Sequence, residues 1–241
     1  MRHGLSLVTV LLAVASIASA QSNATPSQLN GFTAILLTPV GALPSIVPAQ
    51  RWVDSSRGLL ALRYGRYNIA SGVGTFNNIG LSGAVTIARR IRAGVTIGRR
   101  SCDGCEGSNM GSVDLAATLL HQPSSRDIGG DTDVGLQLSA GMAKAKTSDV
   151  HARSFAVSVP LAVTLLQPES SLLTLFLNPS LAYGSLTTNG VSDGASRFVI
   201  GAGVGYAFAF GLGAQIAVHR IVIEDGPAQL GFSLTWRFGG K

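Results

Sequence analysis

Few residues in this chain combine the type and the spacing that chemistry needs. Cys102 and Cys105 stand in the stretch SCDGCEG. A C-x-x-C pair can be a redox centre, half of a metal site or a local disulfide. The redox form sits at a helix start in a thioredoxin-like setting, which the surrounding sequence lacks. A metal site would need further ligands, and no His is close in sequence. Past the first twenty residues the histidines are His121, His151 and His219. Of these His219 is expected to face inward, yet spacing assigns it no Ser, Asp or Glu partner for acid–base work. The expectation is no catalytic residue, no metal, no cofactor, and a protein that is not an enzyme.

The start of the chain sets the compartment. Arg2 and His3 precede the apolar run LSLVTVLLAVASIASA, which closes on Ala18, Ser19 and Ala20 before QSNATPSQ. A short basic start, an apolar stretch and small residues at an A-x-A site describe a secretory signal peptide over residues 1–20. The run is short for an anchor helix, and with no Cys after the cut a lipid anchor is not expected. In an oxidising compartment Cys102 and Cys105 are then expected to form a disulfide that stiffens its loop.

Composition narrows the class. Of 241 residues 12% are charged and 30 are Gly, about half the usual charged share of a soluble domain. Beyond the signal no apolar run of about 18 residues appears, which argues against membrane helices. A membrane protein without them must close into a barrel, because lipid tolerates no unpaired backbone. The net charge of +6 does not point to nucleic acid, since the cations gather at strand ends of an exported chain.

Ten segments alternate in the way strands do: 59–66, 80–88, 91–100, 111–120, 132–144, 151–165, 171–185, 198–208, 212–222 and 228–238. In the last, Ala228, Leu230, Phe232, Leu234, Trp236 and Phe238 oppose Gln229, Gly231, Ser233, Thr235 and Arg237. The face opposite the large aliphatics is mostly Gly, Ser, Thr and Ala, which suits a narrow interior, whereas a soluble barrel would carry Lys and Glu there. The fold class expected is all-β, a transmembrane antiparallel up-and-down barrel of ten strands over residues 57–238, with a tail at 239–241. Inner connections at 89–90, 167–170 and 210–211 are short, and that at 121–130 is longer. Aromatics gather near the strand ends, Phe208, Phe210, Trp236 and Phe238 at the periplasmic rim and Tyr67, Phe155, Tyr183 and Phe198 at the outer one.

The signal peptide, the ten alternating segments and the ending LGFSLTWRF together resemble small bacterial outer-membrane β-barrel proteins of the OmpA-like or opacity-protein-like kind. That resemblance implies the outer membrane, and recognition of a closing aromatic-rich strand by the barrel assembly machinery, here through Phe232, Leu234, Trp236 and Phe238. Chains of this family end on the aromatic itself, whereas this one continues through Gly239, Gly240 and Lys241.

Other residues follow from the threading. Arg66, Arg99, Arg100, Lys144, Lys146, Arg153, Arg197 and Arg220 fall at outer strand ends or in outer loops, where lipopolysaccharide phosphates would meet them. Arg63, Arg92, Asp114, Asp133, Gln137 and Arg237 are assigned to the lumen, the charged ones as ion pairs, and Arg100, at an outer strand end, is also read as facing inward with them. Residues 21–56, with several prolines and no alternation, are expected to form a periplasmic arm or linker, the alternative being a segment folded into the barrel mouth. Three functions fit: a structural or surface-interaction barrel, a narrow passive pore or small-ligand carrier, and a soluble periplasmic barrel binding an apolar ligand. Oligomeric state is not legible.

Overall fold

The computed structural model of the protein describes residues 26–44, 57–69, 74–102, 107–123, 130–146, 149–166, 171–222 and 228–239. Residues 1–20, expected to be a signal peptide, lie outside them, as does Cys105.

The described residues form one antiparallel sheet that closes on itself. Its strands are β1 (Gly58–Ile69), β2 (Gly74–Ala88), β3 (Ile91–Cys102), β4 (Ser108–Gln122), β5 (Asp131–Ala145), β6 in two stretches (Val150–Ser158 and Leu161–Leu166), β7 (Leu172–Thr188), β8 (Val191–Ala207), β9 (Leu212–Ile221) and β10 (Ala228–Phe238). Each strand pairs with its neighbours in sequence, and β1 pairs with β10 from Gly58↔Phe238 to Tyr67↔Gln229. The ten strands of the sequence analysis are these, most of them longer than the alternation suggested.

The interruption in β6 is local. Its two stretches keep one register against β5 and β7, and the gap falls at Val159 and Pro160. Directly opposed residues in an antiparallel ladder exchange two hydrogen bonds at alternate pairs. Gly135 donates to the Pro160 carbonyl at 2.8 Å and Val159 to the Pro179 carbonyl at 2.9 Å, and neither proline has an N–H to return the bond. Bulges between Thr86 and Ala88 and between Thr118 and Leu120 sit near one rim, where such irregularities collect.

Register also gives the barrel's geometry. From Arg63, successive partners in one direction reach Thr174 on β7 and in the other reach Leu186 on the same strand. That displacement of twelve residues is the shear, and for ten strands it corresponds to a tilt of ~40°. Both ends of the sheet, Gly58 and Phe238, share one rim, called proximal here. At the distal rim Asn189 (φ 52°) and Gly190 (φ 77°) make the two-residue turn between β7 and β8, the conformation that Asn-Gly adopts most readily.

The faces are inside-out relative to a soluble protein. Leu62, Ile79, Leu81, Val95, Ile97, Val113, Leu175, Ile216, Leu230 and Leu234 are exposed, while Arg63, Asn78, Ser82, Thr96, Gln215, His219, Ser233 and Thr235 are buried. An outward aliphatic belt over a polar interior is what lipid requires of a barrel. Phe208, Phe210, Trp236 and Phe238 are exposed at the proximal rim, with Phe208 and Phe210 stacked 5.2 Å apart. No described helix is long and apolar enough to cross a membrane.

Inside the ring lie α1 (Pro26–Leu37) and α2 (Pro39–Ala42). Pro26 opens α1 at the position where a missing N–H costs nothing. Pro39 ends it by forcing Thr38 into an extended conformation (φ −95°, ψ 160°). Phe32, Ala34, Ile35 and Leu36 are all buried, so α1 has apolar surroundings rather than one apolar face. Of the two readings of 21–56, the described part, 26–44, follows the second: it is helical and packed inside the barrel, where its side chains find apolar and small residues on the inner wall.

Candidate functional site

The lumen is the concave feature that the fold offers, and its upper part is filled by the chain's own helices. Gly31 of α1 packs against Ala195 of β8 and Gly184 of β7 so tightly that a side-chain carbon at Gly184 would lie 2.8 Å from Ile35 Cγ1. The two glycines allow backbone to meet backbone. Farther along, the Leu36 carbonyl accepts from Arg100 Nη2 at 2.8 Å and from the Tyr67 hydroxyl at 3.2 Å. A cation at the last carbonyls of a helix also meets the negative end of its dipole. Arg100 is held by Asn78 Oδ1 at 3.2 Å and lies over the Phe76 ring at 5.4 Å.

After α1 the segment continues through polar anchors. Thr38 Oγ1 lies 2.6 Å from Ser154 Oγ, Gln229 Nε2 donates to the Ala42 carbonyl, and Arg63 Nη2 donates to the Pro44 carbonyl. Leu43 is buried against Gly80. Each partner lies in the distal half or at the middle of its strand, so residues 26–44 plug the distal part of the lumen.

Below the plug lies a cavity of about 60 Å³ bounded by Pro39, Val40, Arg63, Arg92, Asp114 and His219. Ser82, Ser112, Ser139, Ser158, Ser180, Gln137 and Asn178 complete its wall. Arg63 Nη1 donates to Ser82 Oγ at 3.2 Å and Thr96 Oγ1 at 3.3 Å. Asp114 is close enough to act on both Arg63 and Arg92, yet no ion-pair contact joins them among the described residues.

Of the lumen residues named from sequence, Arg63, Arg92, Asp114 and Gln137 meet in this cavity. Asp133 is elsewhere, 2.6 Å from His121 Nδ1 near the proximal rim, and Arg237 donates to the Phe208 carbonyl at 3.2 Å. The expected network of ion pairs is thus corrected for Arg63, whose terminal nitrogens are taken by hydroxyls and a carbonyl. Spacing could not reveal His121 with Asp133, because they meet across the β4–β5 register.

The outer cationic set divides. Arg66, Arg99, Lys144, Lys146, Arg153 and Arg220 are exposed. Arg100 and Arg197 are 1% and 4% exposed and point inward, which corrects the lipid-facing assignment of Arg197 and, for Arg100, leaves the inward one of its two readings. Arg197 pairs in register with Ala182, an inward position, and Arg100 is drawn to the plug. Tyr67 is likewise turned inward and Phe198 is buried, so of the four aromatics expected at the distal rim Phe155 and Tyr183 are exposed. Phe232, Leu234, Trp236 and Phe238 all stand on the outward face of β10. Cys102 closes β3, and the expected disulfide lies outside the described residues because Cys105 does.

Fold and site together define a closed ten-stranded membrane-spanning β-barrel, of the outer-membrane type, with an occupied lumen. No protein-family model matches the chain and no curated protein matches it in sequence. Solved structures of similar fold include the β domain of the Bordetella autotransporter BrkA, with 9% identity over 77% of this chain and 100% of that one at TM-score 0.49. The N-terminal β-barrel of Pseudomonas aeruginosa OprF matches with 12% identity over 76% and 98%, TM-score 0.33, and the outer membrane enzyme PagL with 9% over 75% and 99%, TM-score 0.39. At such similarity the class rests on this chain's own register and faces.

Proposed function

We propose that this protein is an integral barrel of the bacterial outer membrane with a structural or surface-interaction role, without enzymatic activity, whose lumen is shut by its own N-terminal segment. The observation that carries this reading is the plug: buried apolar side chains of α1 and hydrogen bonds from four strands occupy the distal half of the lumen. A passive pore would need that space open. With the proximal rim in the periplasm, the exposed Arg66, Arg99, Lys144, Arg153 and Arg220 form a distal cationic belt suited to lipopolysaccharide phosphates. Phe232, Leu234, Trp236 and Phe238 form the outward stripe of the closing strand that the assembly machinery would read.

Planar-bilayer recording tests the reading. The full chain is expected to be silent, and a variant lacking residues 26–44 to show discrete open steps. Steady conductance from the full chain would overturn it in favour of the pore. One observation favours that second reading, the polar cavity left beneath the plug.

A further inference from the structure

The cavity under the plug has an excess of positive charge. Its described wall carries two guanidiniums, Arg63 and Arg92, against one carboxylate, Asp114. Arg63 uses both terminal nitrogens on Ser82, Thr96 and Pro44, but its Nε has no partner. For Arg92 the deficit is larger. Its Nε is buried without a partner, and the guanidinium donates to no described residue. A guanidinium offers five N–H donors in a planar fork and accepts nothing, so a buried Nε–H without an acceptor is an unmet donor.

Serines at 82, 112, 139, 158 and 180, with Asn178 and Gln137, add neutral donors around the same space. Five strands, β2 and β4 to β7, supply these serines, so the donors follow about half of the cavity wall. At roughly 10–15 Å³ per water the volume admits about four to six waters, or a small ion with a few.

We propose that this cavity is a binding site for a small monoanionic oxyanion, of which a monocarboxylate fits best. One negative charge balances the formal excess of one positive charge. The planar carboxylate matches the guanidinium fork of Arg92 with two parallel hydrogen bonds, and its outer lone pairs face the serines of the wall. Pro39 and Val40 of the plug form the roof, so the ligand enters from the proximal side. The site stands apart from the question of conduction, since a silent barrel and a conducting one would both hold it.

The test is a titration of the folded full-length barrel in zwitterionic micelles, with ¹⁵N-labelled arginine and constant ionic strength. Formate is the probe, with phosphate in a parallel arm. The Nε–H signals of Arg92 and Arg63 are expected to shift along a saturating curve with formate, and more weakly with phosphate. Exposed arginines such as Arg99 and Arg220 should not follow. Arg92→Gln is expected to weaken binding at least tenfold. Asp114→Asn, which removes the competing carboxylate, is expected to tighten it by about tenfold. Retention of the heat-dependent gel shift verifies that each variant is folded, and Arg92→Lys, which keeps the charge without the fork, should bind with intermediate strength. Linear shifts shared by all arginines would overturn the proposal, as would weaker binding in Asp114→Asn. Saturation with phosphate alone would overturn the carboxylate assignment.

Discussion

The close approach of α1 to the barrel wall gives the sharpest prediction. In Gly184→Ala the new carbon would fall well inside contact distance of the Gly31 carbonyl oxygen, 2.8 Å from Ile35 Cγ1 and 2.9 Å from Ile35 N. Backbone holds both sides, so the helix must retreat by about 1 Å to restore ordinary contact. Such a retreat breaks the bonds from Arg100 and Tyr67 to the Leu36 carbonyl, 2.8 and 3.2 Å long. Their loss costs about 2–4.5 kcal/mol, taking ~1.5–3 for the charged donor and ~0.5–1.5 for the neutral one. Burial of Phe32, Ile35, Leu36 and Leu43 contributes roughly 6–12 kcal/mol as an upper figure, so the plug loosens without leaving. Amide hydrogen exchange of residues 34–37 in micelles is expected to speed up by on the order of 10²–10³. Gly83→Ala is the control, for there the nearest atom to a new carbon is 3.6 Å away. Unchanged exchange in Gly184→Ala, or equal acceleration in both variants, would refute the packing described here.

Ile97, 65% exposed on the outer face, should not tolerate charge: Ile97→Arg is expected to lower stability by about 2–4 kcal/mol in urea titrations of vesicle-folded protein, and a loss below about 1 kcal/mol would take that face out of the lipid. Arg63→Met leaves the Pro44 carbonyl and two hydroxyls without their shared donor, so the temperature of the gel-mobility shift should fall, and an unchanged temperature would remove Arg63 as an anchor. His121→Phe strips Asp133 of a 2.6 Å contact and is expected to cost about 1–3 kcal/mol, measured by the same urea titration. Pro160→Val supplies the N–H that Gly135 lacks as a return partner and should gain about 0.5–1.5 kcal/mol, with slower exchange around it; a loss of stability would show that the proline ring itself is needed.

The barrel was legible because alternation is a backbone property. A strand between lipid and lumen must show two unlike faces, and the segment 228–238 does so at every residue. The same logic placed Arg63, Arg92, Asp114 and Gln137 inside. What it could not supply was the third body in the lumen. The stretch PSQLNGFTAILL has no polar face to mark it as a surface helix, and its prolines read as linker until one sees that Pro26 and Pro39 mark the two ends of α1. Tyr67 is misplaced for the same reason, and Arg100 is read from sequence both as inward and as lipid-facing. Strand position puts them near the distal rim, but only the Leu36 carbonyl explains why both turn inward. The pairing of His121 with Asp133 needed the register across a bulged strand pair, which depends on the whole ring.

Mechanically, a closed barrel is a hoop, and any load that widens it is carried by the hydrogen bonds of each seam in turn. The seam between β1 and β10 is the one a reader of the sequence would suspect, since the sheet's two ends meet there, but it runs through ten consecutive residue pairs. At β6 the ring is thinner. Pro160 leaves one bond unreturned to β5, and Pro179 leaves one unreturned to β6, at adjacent positions along the strand. Two neighbouring seams are weakened at one height, so a stretched or heated barrel should tear beside Val159 before it parts where its ends join.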